Sequence, residues 1–149
     1  MSQTYFGSTL RAGSGSLTDT VDGGYVVMSQ TTTATTVAAG TAVSSTVYLP
    51  ANSQIIDIIV DGTVAAVVGG GTATAIAVTV GSAAAGTQYM SSTDGIAGGR
   101  LAFSPTAAQT LAMANISTNQ TVYITVDPNG TVSTTQGVFR LTVVYAQKD

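Results

Sequence analysis

The sequence predicts an all-β fold, an antiparallel β-sandwich or jelly roll with an extended N-terminal arm. Two observations predict it. Short apolar or threonine-rich segments alternate with turn-forming residues at intervals of about eight to twelve residues. Only one segment, residues 104–116, carries any helical pattern. The arm is expected to span residues 1–22, and the sandwich domain residues 23–149.

The densest apolar stretch, residues 46–62, predicts the central strand pair of the sandwich, with a connection passing through its middle. Strand periodicity places Ile56, Ile58 and Val60 on one face, and this aliphatic face is expected to be buried. Asp57 falls on the opposite face. An unpaired buried carboxylate costs several kcal/mol or more, so Asp57 is expected near a sheet edge, near a basic group or against a neighbouring chain, and a solvated acid at an edge is favoured.

The same reasoning predicts further strands around this pair. They lie within residues 25–36, 42–49, 64–68, 73–80, 100–103, 120–127 and 138–145. Asp61-Gly62 is expected to be a turn, and residues 82–100 a long loop. Residues 104–116 fit a helix capped at Ser104 about as well as a strand, so both alternatives remain open.

The low charge content predicts a surface covered by other protein. Only 7% of the residues are charged, against about 25% in an ordinary soluble domain. A free monomer normally stays soluble through a mixed charged surface, whereas this chain offers hydroxyls and amides. The net charge of −3, with four scattered cations, predicts binding neither to nucleic acid nor to an anionic membrane. No apolar run is long enough to span a bilayer.

The residue inventory argues against catalysis. The chain has no histidine and no cysteine, which removes the commonest general base, the commonest metal ligand and thiol nucleophiles. Asp57 and Asp61 lie on one strand face about 13 Å apart by strand rise, too far for a catalytic dyad. Residues 127–130 lack most ligands of a calcium loop. We therefore predict no enzyme activity, no cofactor and no metal site.

The N-terminal segment allows two interpretations. It is rich in glycine and serine and lacks the basic and apolar regions of a signal peptide, so the protein is expected to start in a cytoplasm. It is either a loose tail or an arm that orders on a neighbouring subunit, and its apolar residues favour the arm. Partner contacts are predicted at Tyr5, Phe6, Leu10, Arg11 and Leu17 in the arm, and at Tyr89, Met90 and Arg100 in the long loop.

Four segments carry a family resemblance: VYLPANSQIIDIIVD (47–61), ATAIAVTVG (73–81), QTVYITV (120–126) and GVFRLTVVY (137–145). Their order resembles the small β-sandwich or jelly-roll proteins of tailed bacteriophage virions, particularly capsid decoration (cement) proteins. The resemblance covers roughly residues 42–145. It implies a homotrimer, made in the host bacterial cytoplasm, that binds the major capsid protein on the outer surface of the virion and stabilises the shell.

Two other classes share this fold and composition. The first is a head-fibre, tail or receptor-binding module of a phage virion, which differs from a decoration protein in its copy number. The second is a carbohydrate-binding or adhesin module. Such sites usually use exposed aromatic platforms, and the absence of tryptophan weakens that alternative.

Overall fold

The computed structural model describes residues 26–132 and 135–147, so the arm predicted at residues 1–22 lies outside the described residues. Within the described part the chain forms eight strands and one short helix. These are β1 (Val26–Thr35), β2 (Val43–Leu49), β3 (Ser53–Val64), β4 (Ile76–Gly81), β5 (Met90–Asp94), β6 (Gly99–Arg100), α1 (Ala107–Ala114), β7 (Gln120–Pro128) and β8 (Val138–Gln147).

The strands form two four-stranded antiparallel sheets. One has the order β1-β8-β3-β6 and the other the order β2-β7-β4-β5. Strand β1 therefore pairs with β8, β2 with β7, β3 with β6 and β4 with β5. This pairing is that of a long hairpin folded over on itself, which is the jelly-roll topology. The predicted all-β sandwich or jelly roll is confirmed.

The core lies between the two sheets and is built from alternate residues of the interior strands. Each of the following side chains is 0% exposed: Ile76, Val78, Val80, Val122, Ile124, Val126, Phe139, Leu141 and Val143. These residues occupy every second position along β4, β7 and β8, so each set lies on one face of its strand.

The predicted central strand pair is wrong. Strand β2 is an edge strand of one sheet, whereas β3 lies inside the other. The connection between them turns a corner, with Asn52 at a φ of 59° and the Ser53 hydroxyl donating to the Pro50 carbonyl at 2.6 Å. Two consecutive apolar strands thus contribute to opposite walls of the core.

The predicted face assignment on β3 is wrong at Ile56. Ile55 pairs with Tyr145 and Asp57 with Val144, so Ile56 is an extra residue in a β-bulge. The bulge shifts the alternation by one position. Ile55 is therefore buried and Ile56 is 53% exposed, while Ile58 returns to the core.

The loop predicted at residues 82–100 contains β5 and β6. The turn predicted at Asp61-Gly62 is also wrong, because β3 continues to Val64 and Gly62 pairs with Gly99. The sequence of β5 shows no alternation of apolar and polar residues, because only its first residue, Met90, is apolar and buried. The strand predicted at residues 64–68 does not form, and that segment contributes one bridge, from Val67 to Thr135.

Residues 104–116, for which both a helix and a strand were possible, contain the helix α1. Its N-cap is Thr106 and not Ser104. The Gln109 backbone N–H donates to the Thr106 hydroxyl, and the Gln109 side chain accepts from the Thr106 backbone N–H. Gln109 is buried and also donates to the Thr87 carbonyl at 2.9 Å and the Ser91 hydroxyl at 3.0 Å. These bonds attach the helix to the chain at β5.

Candidate interaction surface

The described residues present no clustered metal ligands. No group of three or more histidine, cysteine, aspartate or glutamate side chains is placed to hold a metal ion in this part of the chain. Asp94, a possible ligand, instead accepts from the backbone N–H groups of Ile76 and Ile96, each at 3.0 Å. Among the described helices, none is long and apolar enough to cross a membrane.

The outward side of the β1-β8-β3-β6 sheet forms a broad surface, which we call the outer sheet face. Strand register aligns its side chains in rows, for example Thr33, Arg140, Asp61 and Arg100 across the four strands. The face consists of Val27, Ser29, Thr31, Thr33, Thr35, Gln54, Asp57, Ile59, Asp61, Val64, Arg100, Val138, Arg140, Thr142, Val144 and Ala146.

Hydroxyl and aliphatic side chains dominate the outer sheet face. Val27 is 61% exposed at one end of it, and the bulged Ile56 adds an exposed aliphatic side chain at its edge. Two aspartates and two arginines give the face no net formal charge. A flat, neutral and partly apolar surface of this kind is typical of a protein contact site.

Both arginines of the face bind one carboxylate. Arg100 Nε lies 2.7 Å from Asp61 Oδ1, and Arg140 Nη2 lies 3.1 Å from Asp61 Oδ2. The hydrogen bond from Arg140, together with that from Arg100, lowers the pKa of Asp61 below its ordinary value. Asp57, four residues earlier on β3, is exposed and forms no ion pair within the described part of the chain.

A groove borders the outer sheet face along the open edge of β3. Strand β6 pairs only with Asp61 and Gly62, so the edge of β3 beside the bulge has no strand next to it. The groove has a volume of about 250 Å³, and its walls include Ile56, Leu101 and Phe103. Asp57 and Arg100 also line the groove, so it presents both apolar and charged groups beside the face.

The outward side of the other sheet is covered in part by the protein's own chain. The loop at residues 82–88 folds back on it, with the Ala85 N–H donating to the Thr125 hydroxyl at 2.8 Å. Thr125 is consequently only 3% exposed although it points outward from β7. A partner therefore meets less continuous strand surface on this side than on the outer sheet face.

The β1–β2 side of the sandwich is closed by side chains. Gln30 donates to the Tyr48 carbonyl at 2.5 Å and accepts from the Tyr48 N–H at 3.2 Å, so its amide takes the place of a neighbouring strand. The Thr32 and Ser45 hydroxyls lie 2.6 Å apart and add a second link. Because edge groups of β2 are occupied, partner binding by strand addition is disfavoured there.

No known relative emerges from comparisons with known proteins. No protein-family model matches the chain, and neither does any curated protein or solved structure.

The structure separates the eight residues predicted to contact a partner. Tyr5, Phe6, Leu10, Arg11 and Leu17 lie outside the described residues. Tyr89 and Met90 are 4% and 1% exposed, so they belong to the core and leave almost no side-chain surface for a partner. Burial also raises the pKa of Tyr89. Arg100 lies on the outer sheet face with 59% of its side chain exposed.

Sequence reasoning missed the remaining residues of the face. Thr33, Arg140 and Asp61 are far apart in the chain, and only strand register brings them into one row. The threonine run at residues 31–36 does not indicate which face points outward, because threonine occupies positions 31, 32, 33, 35 and 36.

Proposed function

We propose that the chain is a virion structural protein that binds the outer surface of a phage capsid and stabilises the shell. Its partner is the major capsid protein, and the bound form is an oligomer, a trimer in the family that the sequence resembles. The observation that carries the proposal is the outer sheet face, a neutral surface that no other part of the described chain covers.

The composition of this face suits burial against protein. Removing charged groups from water is expensive, whereas hydroxyls are desolvated at lower cost and re-form hydrogen bonds across an interface. The two arginines are already neutralised in part by Asp61. Burying the face therefore leaves two charges for the partner to balance, the −1 of Asp57 and the net +1 of Asp61 with its two arginines.

The topology supports the same proposal without deciding it. Jelly rolls are common among viral capsid domains, but they also occur in lectins and cupins. A fold hosts many functions, so the surface of the sandwich and not its topology indicates the partner. The closed β1–β2 side and the covered second sheet leave the outer sheet face as the broadest contact area of the described strands.

Binding to preformed capsid shells tests the proposal. Purified chain is expected to co-sediment with pre-expanded shells of the virus that encodes it and to raise their melting temperature. A chain that binds the native shell and not its unfolded subunits stabilises the shell by about 2.7 kcal/mol per site, when the concentration of free chain is a hundred times the Kd. Failure of the wild-type chain to bind the shells would refute the proposal.

Two variants localise the contact. Ser29→Lys puts a charge on the outer sheet face and is expected to weaken binding, whereas Ser117→Lys, on an exposed segment outside the face, is its matched control. Deleting residues 1–20 is expected to weaken attachment more than it weakens folding. Equal binding by the truncated chain would remove the arm hypothesis, and equal binding by Ser29→Lys would remove the face from the contact.

A further inference from the structure

We propose that the outer sheet face pairs with the same face of a second copy of this chain, around a two-fold axis that crosses β3 at Ile59. The inference rests on the proposed use of this face as an interface and describes the free chain before it attaches to a shell, since one face cannot contact a second copy and the capsid at once. On β3, Asp57 and Asp61 flank Ile59 symmetrically, and the charges around these two residues favour the pairing.

The segment of β3 from Asp57 to Asp61 carries opposite charge at its two ends. Asp57 has no cation within the described residues, so its end is negative. Asp61 holds both Arg100 and Arg140, so its end has a net charge of +1. By strand rise each end lies about 7 Å from Ile59.

A two-fold axis lying across the strands at Ile59 brings these ends together. It reverses the strand direction, so residue 57 of one copy lies opposite residue 61 of the other. The free carboxylate of Asp57 then approaches Arg100 and Arg140 of the second copy. Each guanidinium has five N–H donors, and 59% and 51% of these two side chains are exposed, so donors remain for a second carboxylate.

Symmetry makes the contact occur twice. In a two-fold interface, residue i meets residue j and residue j meets residue i, so one charge arrangement supplies two ion clusters. In the assembled pair, four aspartates and four arginines on the two faces sum to zero. A partner of unrelated sequence would have to supply both charges at the matching spacing, whereas a second copy carries them already.

The other rows of the face fit the same axis. The row of Ile59, Thr142 and Thr31 in one copy lies opposite the same row of the second copy. Both rows are β-branched, so β-branched side chains pack against each other. Strand dimensions give the face an area of about 550 Å² per copy, or about 1,100 Å² in total. That total exceeds the roughly 1,000 Å² expected of a specific interface. Two sheets in face-to-face contact pack about 10 Å apart with interdigitating side chains.

Charge-exchanged variants test the pairing by light scattering and native mass spectrometry. The wild-type chain is expected to form an even-numbered species, a dimer, or a hexamer if trimers pair through this face. Asp57→Arg makes both ends of the segment positive, and Arg100→Asp makes both negative. Each variant alone is expected to self-associate at least about tenfold more weakly than the wild type.

Mixing the two variants is the most discriminating experiment. The arginine introduced by Asp57→Arg meets the negative end of the Arg100→Asp chain. The intact Asp57 of that second chain meets the positive end of the first, so a heterodimer is expected. Asp127→Arg makes the same charge change at an exposed position on the other sheet and is expected to leave the mass of the assembly unchanged. Circular dichroism melting of each variant checks that it folds.

The outcomes separate this inference from the proposed function. A wild-type monomer or isolated trimer would overturn the pairing, and so would a mixture that fails to associate while both variants are folded. If such an unpaired chain still binds capsid shells, the capsid role stands without the pairing. If the chain pairs but ignores the shells, the capsid role fails and the self-association stands.

Discussion

Replacing Phe139 by alanine is expected to lower the free energy of unfolding by about 3–5 kcal/mol. Phe139 is 0% exposed in β8, between the two sheets, and it is among the largest fully buried side chains. Alanine would remove the ring and leave a cavity that strands on both sides cannot close. Because small domains are stable by only about 5–15 kcal/mol, the loss is a large fraction of the total.

Denaturant unfolding followed by circular dichroism measures this effect. Leu111→Ala is the control, since Leu111 is 76% exposed on α1 and its truncation is expected to change the free energy of unfolding by no more than about 0.5 kcal/mol. Equal destabilisation by the two alanine variants would contradict the placement of Phe139 at the centre of the core.

Adding a single methyl group at Gly95 is the second change with a large expected effect. A Cβ built at Gly95 lies 2.4 Å from Phe139 Cε1 and 2.9 Å from Val78 Cγ2, both in fully buried side chains. Gly95 does not have a positive φ, so alanine meets a steric obstacle and no backbone strain. Gly95→Ala is expected to cost about 1–3 kcal/mol or more, because Phe139 has no space to move into.

A double-mutant cycle isolates the clash between these two residues. Phe139→Leu shortens the side chain that the new methyl group meets, so Gly95→Ala is expected to cost less in that background. The coupling energy should fall within about 0.5–3 kcal/mol. If Gly95→Ala cost the same in both backgrounds, the close approach of residue 95 to the ring would be refuted.

The sequence predicted the fold class and most of the strands. In β4, β7 and β8 buried apolar residues recur at every second position, a spacing that strand geometry makes recognisable. The prediction failed where geometry departs from that period. The bulge at Ile56 shifts the face by one residue, and a bulge depends on pairing with β8, which is more than eighty residues away.

The candidate surface was harder to predict than the core. Arg100 was singled out from the sequence, but its neighbour Arg140 was not, because both reach Asp61 only through the order of β8, β3 and β6. Tyr89 and Met90 were predicted to contact a partner, and their burial was not foreseen because glycine, alanine and serine surround them. In β5 only Met90 is buried, and pairing with β4 joins the rest of this polar strand to the sheet.

Counting copies of this chain in purified virions, by quantitative mass spectrometry against the major capsid protein, tests most directly whether it is a component of the shell. A decoration protein is expected in many copies and at a fixed ratio to the major capsid protein. One or a few copies per particle would indicate a head-fibre, tail or receptor-binding module instead. Complete absence from the particle would contradict a structural role in the virion.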